Sequence, residues 1–142
     1  MSVGAAATSN REIAAGAFQE WSRGEGHVSR LFADDMTWEI VGRSHASRKY
    51  ADRQAFVGQV LAPFAARFDP AAPFKPVDIR GVFADGDTVV VLWDGAGTTT
   101  AGTAYRNTYA WFLRFRDGLV VDGTAIYDSI AFNELWDGVP AE

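Results

Sequence analysis

Cysteine is absent from the 142-residue chain, which excludes disulfides, thiolate nucleophiles and zinc–thiolate sites. Histidine is almost as scarce, and His27 and His45 are too few to suggest a metal cluster. Basic residues are the minority charge, 13 against 18 acidic, for a net charge of −5. A nucleic-acid binder needs a basic surface to neutralise phosphates, and here the basic residues are scattered apart from Arg43, Arg48 and Lys49, so nucleic acid is not an expected partner. No apolar run approaches the roughly 20 residues of a membrane span. Met1 to Ser9 lack the basic segment and apolar stretch of a secretory signal and read as a frayed end. The expectation is a soluble, cytoplasmic chain forming one domain over residues 1–142, with its core over about 10–135.

What the chain has in excess is aromatic rings. Five Trp, 4 Tyr and 10 Phe exceed what one small core obviously needs, in a composition that is otherwise ordinary for a globular protein at 48% hydrophobic and 22% charged.

Ile13, Ala14, Ala17, Phe18 and Trp21 recur at helical spacing, with Asn10 as the candidate cap and Gly24 just past the end. A short helix is expected over His27–Phe32, with His27 at the surface, and Ala33-Asp34-Asp35 as its break. Met36–Val41 alternates as a strand, and Gly42–Tyr50 is irregular. Asp52 should cap a third helix reaching about Phe68, which Pro63 should kink or whose regular part it should end. Four strands follow: Val77–Ala84, Thr88 to about Gly97, Thr103–Arg116 and Leu119–Asp128, the last two joined by the hairpin signal Asp117-Gly118. Ile130–Trp136 forms a short amphipathic tail. Helices first and an antiparallel meander second is an α+β layout. Consecutive strands twist relative to one another, so the sheet should curl strongly and, with a kinked helix over its concave face, leave a cone-shaped cavity.

The run Phe32-Ala33-Asp34-Asp35-Met36-Thr37-Trp38-Glu39-Ile40-Val41-Gly42 resembles the first-strand signature of SnoaL-like proteins. Tyr105, Asn107, Tyr109 and Trp111, then Asp117-Gly118 and Tyr127-Asp128, continue the resemblance in order. These proteins belong to the nuclear transport factor 2-like superfamily, with ketosteroid isomerase, scytalone dehydratase and limonene epoxide hydrolase. The resemblance implies a cone-shaped α+β barrel whose strongly curved antiparallel sheet wraps around N-terminal helices. One such cone carries many unrelated chemistries. On this pattern the isomerase's general base falls at Ile40 and its oxyanion-hole groups fall near Ala17 and at Trp111. All three are apolar here, which argues against steroid-type isomerisation. Leu92-Trp93-Asp94 lacks the arginine of the epoxide hydrolase's Arg-x-Asp pair, whereas Asp128 matches its second carboxylate. Asp128 also matches the acid/base aspartate of the polyketide cyclases.

Each candidate residue carries two readings. Asp128 is either an acid/base whose pKa an apolar cavity raises, or the cap of the helix that follows it. Tyr105, Asn107, Tyr109 and Trp111 share one face of their strand. They line a ligand pocket together with Trp38, or they form a plain aromatic core in which Asn107 satisfies a backbone group. Asp94 falls on the outer face by alternation. His45 with Arg43, Arg48 and Lys49 is either a lid that handles an anionic group or a set of solvated loop charges. The expected function is a cofactor-independent, metal-free isomerase, cyclase, lyase or hydrolase acting on a small apolar or polycyclic molecule, with Asp128 as acid/base. The alternatives are a binding protein with the same cavity and no chemistry, or a module that dimerises through the outer sheet face, where Val90, Leu92, Ala110 and Phe112 form an apolar patch.

Overall fold

Helix α1 (Asn10–Ser22) is capped by Ser9 rather than Asn10. Ser9 Oγ accepts from the Glu12 N–H at 3.1 Å, and the Glu12 carboxylate accepts from the Ser9 N–H at 3.1 Å. The sequence Ser-x-x-Glu thus closes a reciprocal capping box, satisfying donors the first turn would otherwise leave free. The computed structural model describes residues 9–141, so the frayed end expected over 1–9 lies, Ser9 apart, outside the described residues. Helix α1 buries Ala14, Ala17, Phe18 and Trp21, and Gly24 turns the chain at φ 75°.

A 3-10 turn, Val28–Leu31, stands where a short helix was expected. Strand β1 (Phe32–Ile40) starts at once, taking in the Ala33-Asp34-Asp35 segment, and β2 (Lys49–Tyr50) pairs with it. Asp52 caps the next helical stretch, its carboxylate accepting from the Ala55 N–H at 2.8 Å. That stretch is α2 (Arg53–Phe56), a π-helical turn (Val57–Leu61) and α3 (Ala62–Ala65). The Ala62 N–H reaches back five residues to the Val57 carbonyl just before Pro63, which has no N–H of its own to continue a regular ladder. The irregularity expected at Pro63 takes the form of this widened turn just ahead of it.

Strands β3 (Lys75–Asp85), β4 (Thr88–Thr98), β5 (Ala104–Arg116) and β6 (Leu119–Tyr127) form the antiparallel meander, and α4 (Ser129–Gly138) follows. Asp117 and Gly118 both take positive φ, 54° and 79°, as a tight hairpin turn between twisted strands requires. The sheet order is β2-β1-β6-β5-β4-β3, giving a curved, unclosed sheet and an α+β cone. It is mixed rather than wholly antiparallel. Strand β1 runs parallel to β6, with Trp38 opposite Gly123 and Ile40 opposite Ala125. Turn signals specify only hairpin neighbours, whereas a parallel pair is joined through a long crossover that leaves no local mark in the sequence.

The inner face follows the alternation of β4 and β5. Val89, Val91 and Trp93 are buried opposite Leu113, Trp111 and Tyr109. Helix α1 lays Phe18 and Trp21 against this face, with ring centroids 5.3 and 5.2 Å from Trp93. At the other end Arg67 is buried and holds α4 in place. Its guanidinium donates to the carbonyls of Pro63, Trp136 and Val139 at 2.8, 3.2 and 2.8 Å and lies 3.8 Å over the Trp136 ring.

Candidate functional site

A cavity of about 110 Å³ lies between the inner sheet face and the helices. The sheet contributes Ile40, Trp93, Tyr109, Trp111 and Tyr127. The helical segment contributes Phe56, Val60, Leu61, Phe64 and Ala65, successive side chains of one stripe. Trp21, His27, Pro73, Phe74 and Phe132 complete the wall. Nine of these fifteen residues are Phe, Trp or Tyr, and none is an ionisable acid, lysine or arginine. For scale, an apolar cavity of ~150 Å³ holds benzene. The enclosed volume is therefore that of a single small ring rather than of several.

Polar atoms on the wall are few. Tyr127 shares a 2.8 Å hydrogen bond with Ser44 Oγ, and Tyr109 shares one of 2.9 Å with Tyr105. Burial pushes the Tyr109 hydroxyl well above its ordinary pKa and raises Tyr127 too, so both stay protonated. The buried indole N–H groups of Trp38, Trp93 and Trp111 meet no oxygen or nitrogen partner. Edge-to-face contacts join Trp111 to Trp38 and Trp93 at 4.9 and 5.4 Å, and ring faces are weak acceptors in such arrangements. Among the described residues, no three His, Asp or Glu side chains gather where they could hold a metal.

His27 is the wall residue that sequence reasoning missed. It was expected at the surface, yet it is partly buried, with its ring centroid 4.3 Å from that of Trp21. Its Nδ1 accepts the Ser29 N–H at 3.0 Å, capping the 3-10 turn. Burial lowers its pKa to about 4. Only the capping geometry, a histidine two residues before a turn N–H, could have flagged it, and serine, aspartate and asparagine fill that role more commonly.

The expected site residues divide. Tyr109 and Trp111 line the cavity. Trp38, expected in the wall, is core instead: at 1% exposure it stacks on Phe56 at 4.4 Å and backs the wall rather than forming it. Tyr105 stands behind Tyr109, toward a separate cleft beside α4. Asn107 is turned to the backbone. Its amide donates to the Asp128 carbonyl at 3.0 Å and to Tyr105 Oη at 2.8 Å, and its oxygen accepts from the Thr108 and Asp128 N–H groups. Asp128 is exposed and caps α4, its carboxylate accepting from the Ile130 N–H at 2.9 Å, and it is not part of the cavity wall. Strand alternation turns the 128 side chain away from the Tyr127 face, and the free N–H groups of α4 capture it.

The loop that carries Arg43 and His45 is tied to α4. The Arg43 N–H donates to Ser129 Oγ, the His45 N–H to Asn133 Oδ1, and His45 Nε2 lies 3.0 Å from Asp137 Oδ2. Asp94 sits on the outer face, as alternation requires, but is covered. It accepts from Thr108 Oγ1 at 2.7 Å and from Arg106 and Arg80 at 3.2 and 3.5 Å. The Thr108 hydrogen bond, with the two arginines, holds its carboxyl below the usual range.

A family model described as "SnoaL-like domain" matches residues 14–123. Among solved structures, the chain is similar to Bal32a from a soil-derived mobile gene cassette, with 21% identity over 89% of this chain and 95% of that one and a TM-score of 0.71. It is similar to an NTF2-like protein from Burkholderia thailandensis, at 18% identity, 91% and 98% coverage and a TM-score of 0.71. It is also similar to IdmH from Streptomyces antibioticus, described provisionally as a polyketide cyclase, at 19% identity, 92% and 99% coverage and a TM-score of 0.65. No curated protein matches the chain. At these identities the structural likeness carries the fold alone.

Proposed function

The chain belongs to the SnoaL-like family, and from that premise we propose that it binds a small, flat, largely apolar molecule with one ring seated in its aromatic cavity. The observation that carries this reading is the wall itself, with nine aromatic residues and no ionised side chain around about 110 Å³. Such a wall favours ring stacking and opposes entry of a charged group, which would lose its hydration without gaining a partner. Tryptophan fluorescence reports binding directly, since Trp21, Trp93 and Trp111 all border the cavity. Indane, a bicyclic hydrocarbon, should quench or shift that emission saturably. Ala65 is exposed and lines the cavity, so it stands at the mouth. Ala65→Trp should block the indane response without lowering Tm. A wild-type protein that gives no saturable response to indane or to its ring-bearing relatives would end the reading.

A second reading is cofactor-independent catalysis, as isomerase, cyclase, lyase or hydrolase, with Asp128 as acid/base. It is favoured by the likeness to IdmH and by the side-chain chain Asn107–Tyr105–Tyr109, which links the Asp128 backbone to the cavity wall through hydrogen bonds of 3.0, 2.8 and 2.9 Å. It requires the Asp128 carboxylate to leave Ile130 and turn inward.

A further inference from the structure

The polar groups that border the cavity differ in what they have left to offer. Tyr109 and Tyr127 already share hydrogen bonds with Tyr105 and Ser44. The indoles of Trp93 and Trp111 have their N–H groups sealed inside the packed rings. His27 is different. The Ser29 backbone N–H can only donate, so the ring nitrogen it meets, Nδ1 at 3.0 Å, must be the unprotonated one. Ser29 Oγ, 2.9 Å from the same atom, then donates to it as well. The ring's single proton in the neutral form is thereby fixed on Nε2. Among the described residues Nε2 meets no protein partner, and the ring that carries it lines the cavity.

We infer that His27 is the ligand-orienting donor of the cavity, its Nε2–H donating to a neutral acceptor oxygen, and that the ligands selected are small, flat, ring-bearing molecules with a carbonyl. This deepens the cavity reading and rests on it. The imidazole remains neutral because burial holds its pKa near 4, and a second proton on Nδ1 would point at the Ser29 N–H. A fixed neutral donor suits a ketone, lactone or quinone oxygen and gives no charge to attract a carboxylate. A carbonyl entering an apolar cavity without a donor loses its hydrogen bonds to water, so such a cavity would prefer the bare hydrocarbon. A single donor in place reverses that preference.

The matched probes are 1-indanone and indane, which share a bicyclic skeleton and differ at one carbonyl. Wild type should bind 1-indanone at least as tightly as indane. His27→Phe keeps a ring in place and removes the donor. It should weaken 1-indanone about tenfold while leaving indane within about twofold. Because the variant also loses the cap on Ser29, a second measurement uses the unmodified protein. Long-range nitrogen-15 NMR should show His27 as the Nε2–H tautomer, with that nitrogen shifting on addition of 1-indanone but not of indane. An Nδ1–H tautomer, or equal loss of both ligands in His27→Phe, overturns the inference and leaves the cavity reading standing. So does a wild-type protein that binds indane and refuses 1-indanone. If wild type binds neither probe, the cavity reading itself falls and this inference goes with it.

Discussion

Trp38 lies directly on Gly123. The two residues are register partners in the parallel pair of β1 and β6, and a β-carbon built at position 123 would fall 2.2 Å from the indole ring. The ring therefore lies across the backbone of its neighbouring strand and meets Phe56 on its other side. Gly123→Ala should displace Trp38 and loosen that stack, destabilising the protein by about 2–3 kcal/mol. Denaturant unfolding followed by near-ultraviolet circular dichroism measures both effects. An unchanged midpoint would mean that the ring has room to move.

Asp128 carries two roles that substitution separates. Asn caps helices as well as Asp, so Asp128→Asn should keep the stability of wild type, whereas Asp128→Ala should lose about 1 kcal/mol. Once a turned-over compound is found, Asp128→Asn should abolish its conversion if the carboxylate is the acid/base. Wild-type turnover in that variant would leave Asp128 as a cap alone.

The buried His27 makes stability depend on acid. Above pH 6.5 the ring is neutral in folded and unfolded chains alike, and its contribution is fully present. As pH falls through 6.5 the unfolded chain gains a proton that the folded chain refuses until about pH 4. Stability is therefore lost across that window, by up to ~3 kcal/mol. His27→Asn can still accept the Ser29 N–H but does not titrate. Its unfolding free energy should be flatter between pH 6.5 and 4 than that of wild type.

Arg67 is a buried cation whose partners are three carbonyls and a ring rather than a carboxylate. Arg67→Met preserves much of the bulk over Trp136 but leaves the carbonyls of Pro63, Trp136 and Val139 without their donor. A loss of about 2–4 kcal/mol is expected, with faster amide exchange concentrated in α4. Uniform exchange changes across the whole chain would argue against a local clasp.

The outer sheet face exposes Phe83, Phe112 and Ile126 at 59%, 38% and 44%. Phe83, Val90 and Phe112 align across three strands, as do Leu92, Ala110 and Ile126. Pairing of two copies through this face would cover both rows. Sedimentation at ~50 µM is expected to give a dimer, and Phe112→Glu a monomer. A monomeric wild type at that concentration removes the expectation.

The meander was legible because its information is local. Alternation sorted Tyr109 and Trp111 to one face of their strand and Asp94 to the outer face of its own, and Asp117-Gly118 and Asp52 marked a turn and a cap that the structure keeps. Three features were not legible, each for a physical reason. The parallel partner of β1 lies more than eighty residues away, and nothing in β1 itself names it. Trp38 has the same alternation as a wall residue, and only the absence of a side chain at Gly123 lets it sink into the core. Asp128 ends a strand and begins a helix, and strand alternation says nothing of the pull that free helix N–H groups exert on it.

The parallel pairing of β1 with β6 also sets a timetable. During synthesis β1 is complete long before its main hydrogen-bonding neighbour exists, and only the two-residue β2 covers its other edge. Hairpins β3–β4 and β4–β5 can close as they emerge, but β1 must wait for residues near Gly123 before its ladder forms. Its alternating Met36, Trp38 and Ile40 stay available to other chains throughout that interval. Misassembly of this protein should therefore begin at its first strand, and a chain stalled before β6 should be the species that chaperones hold.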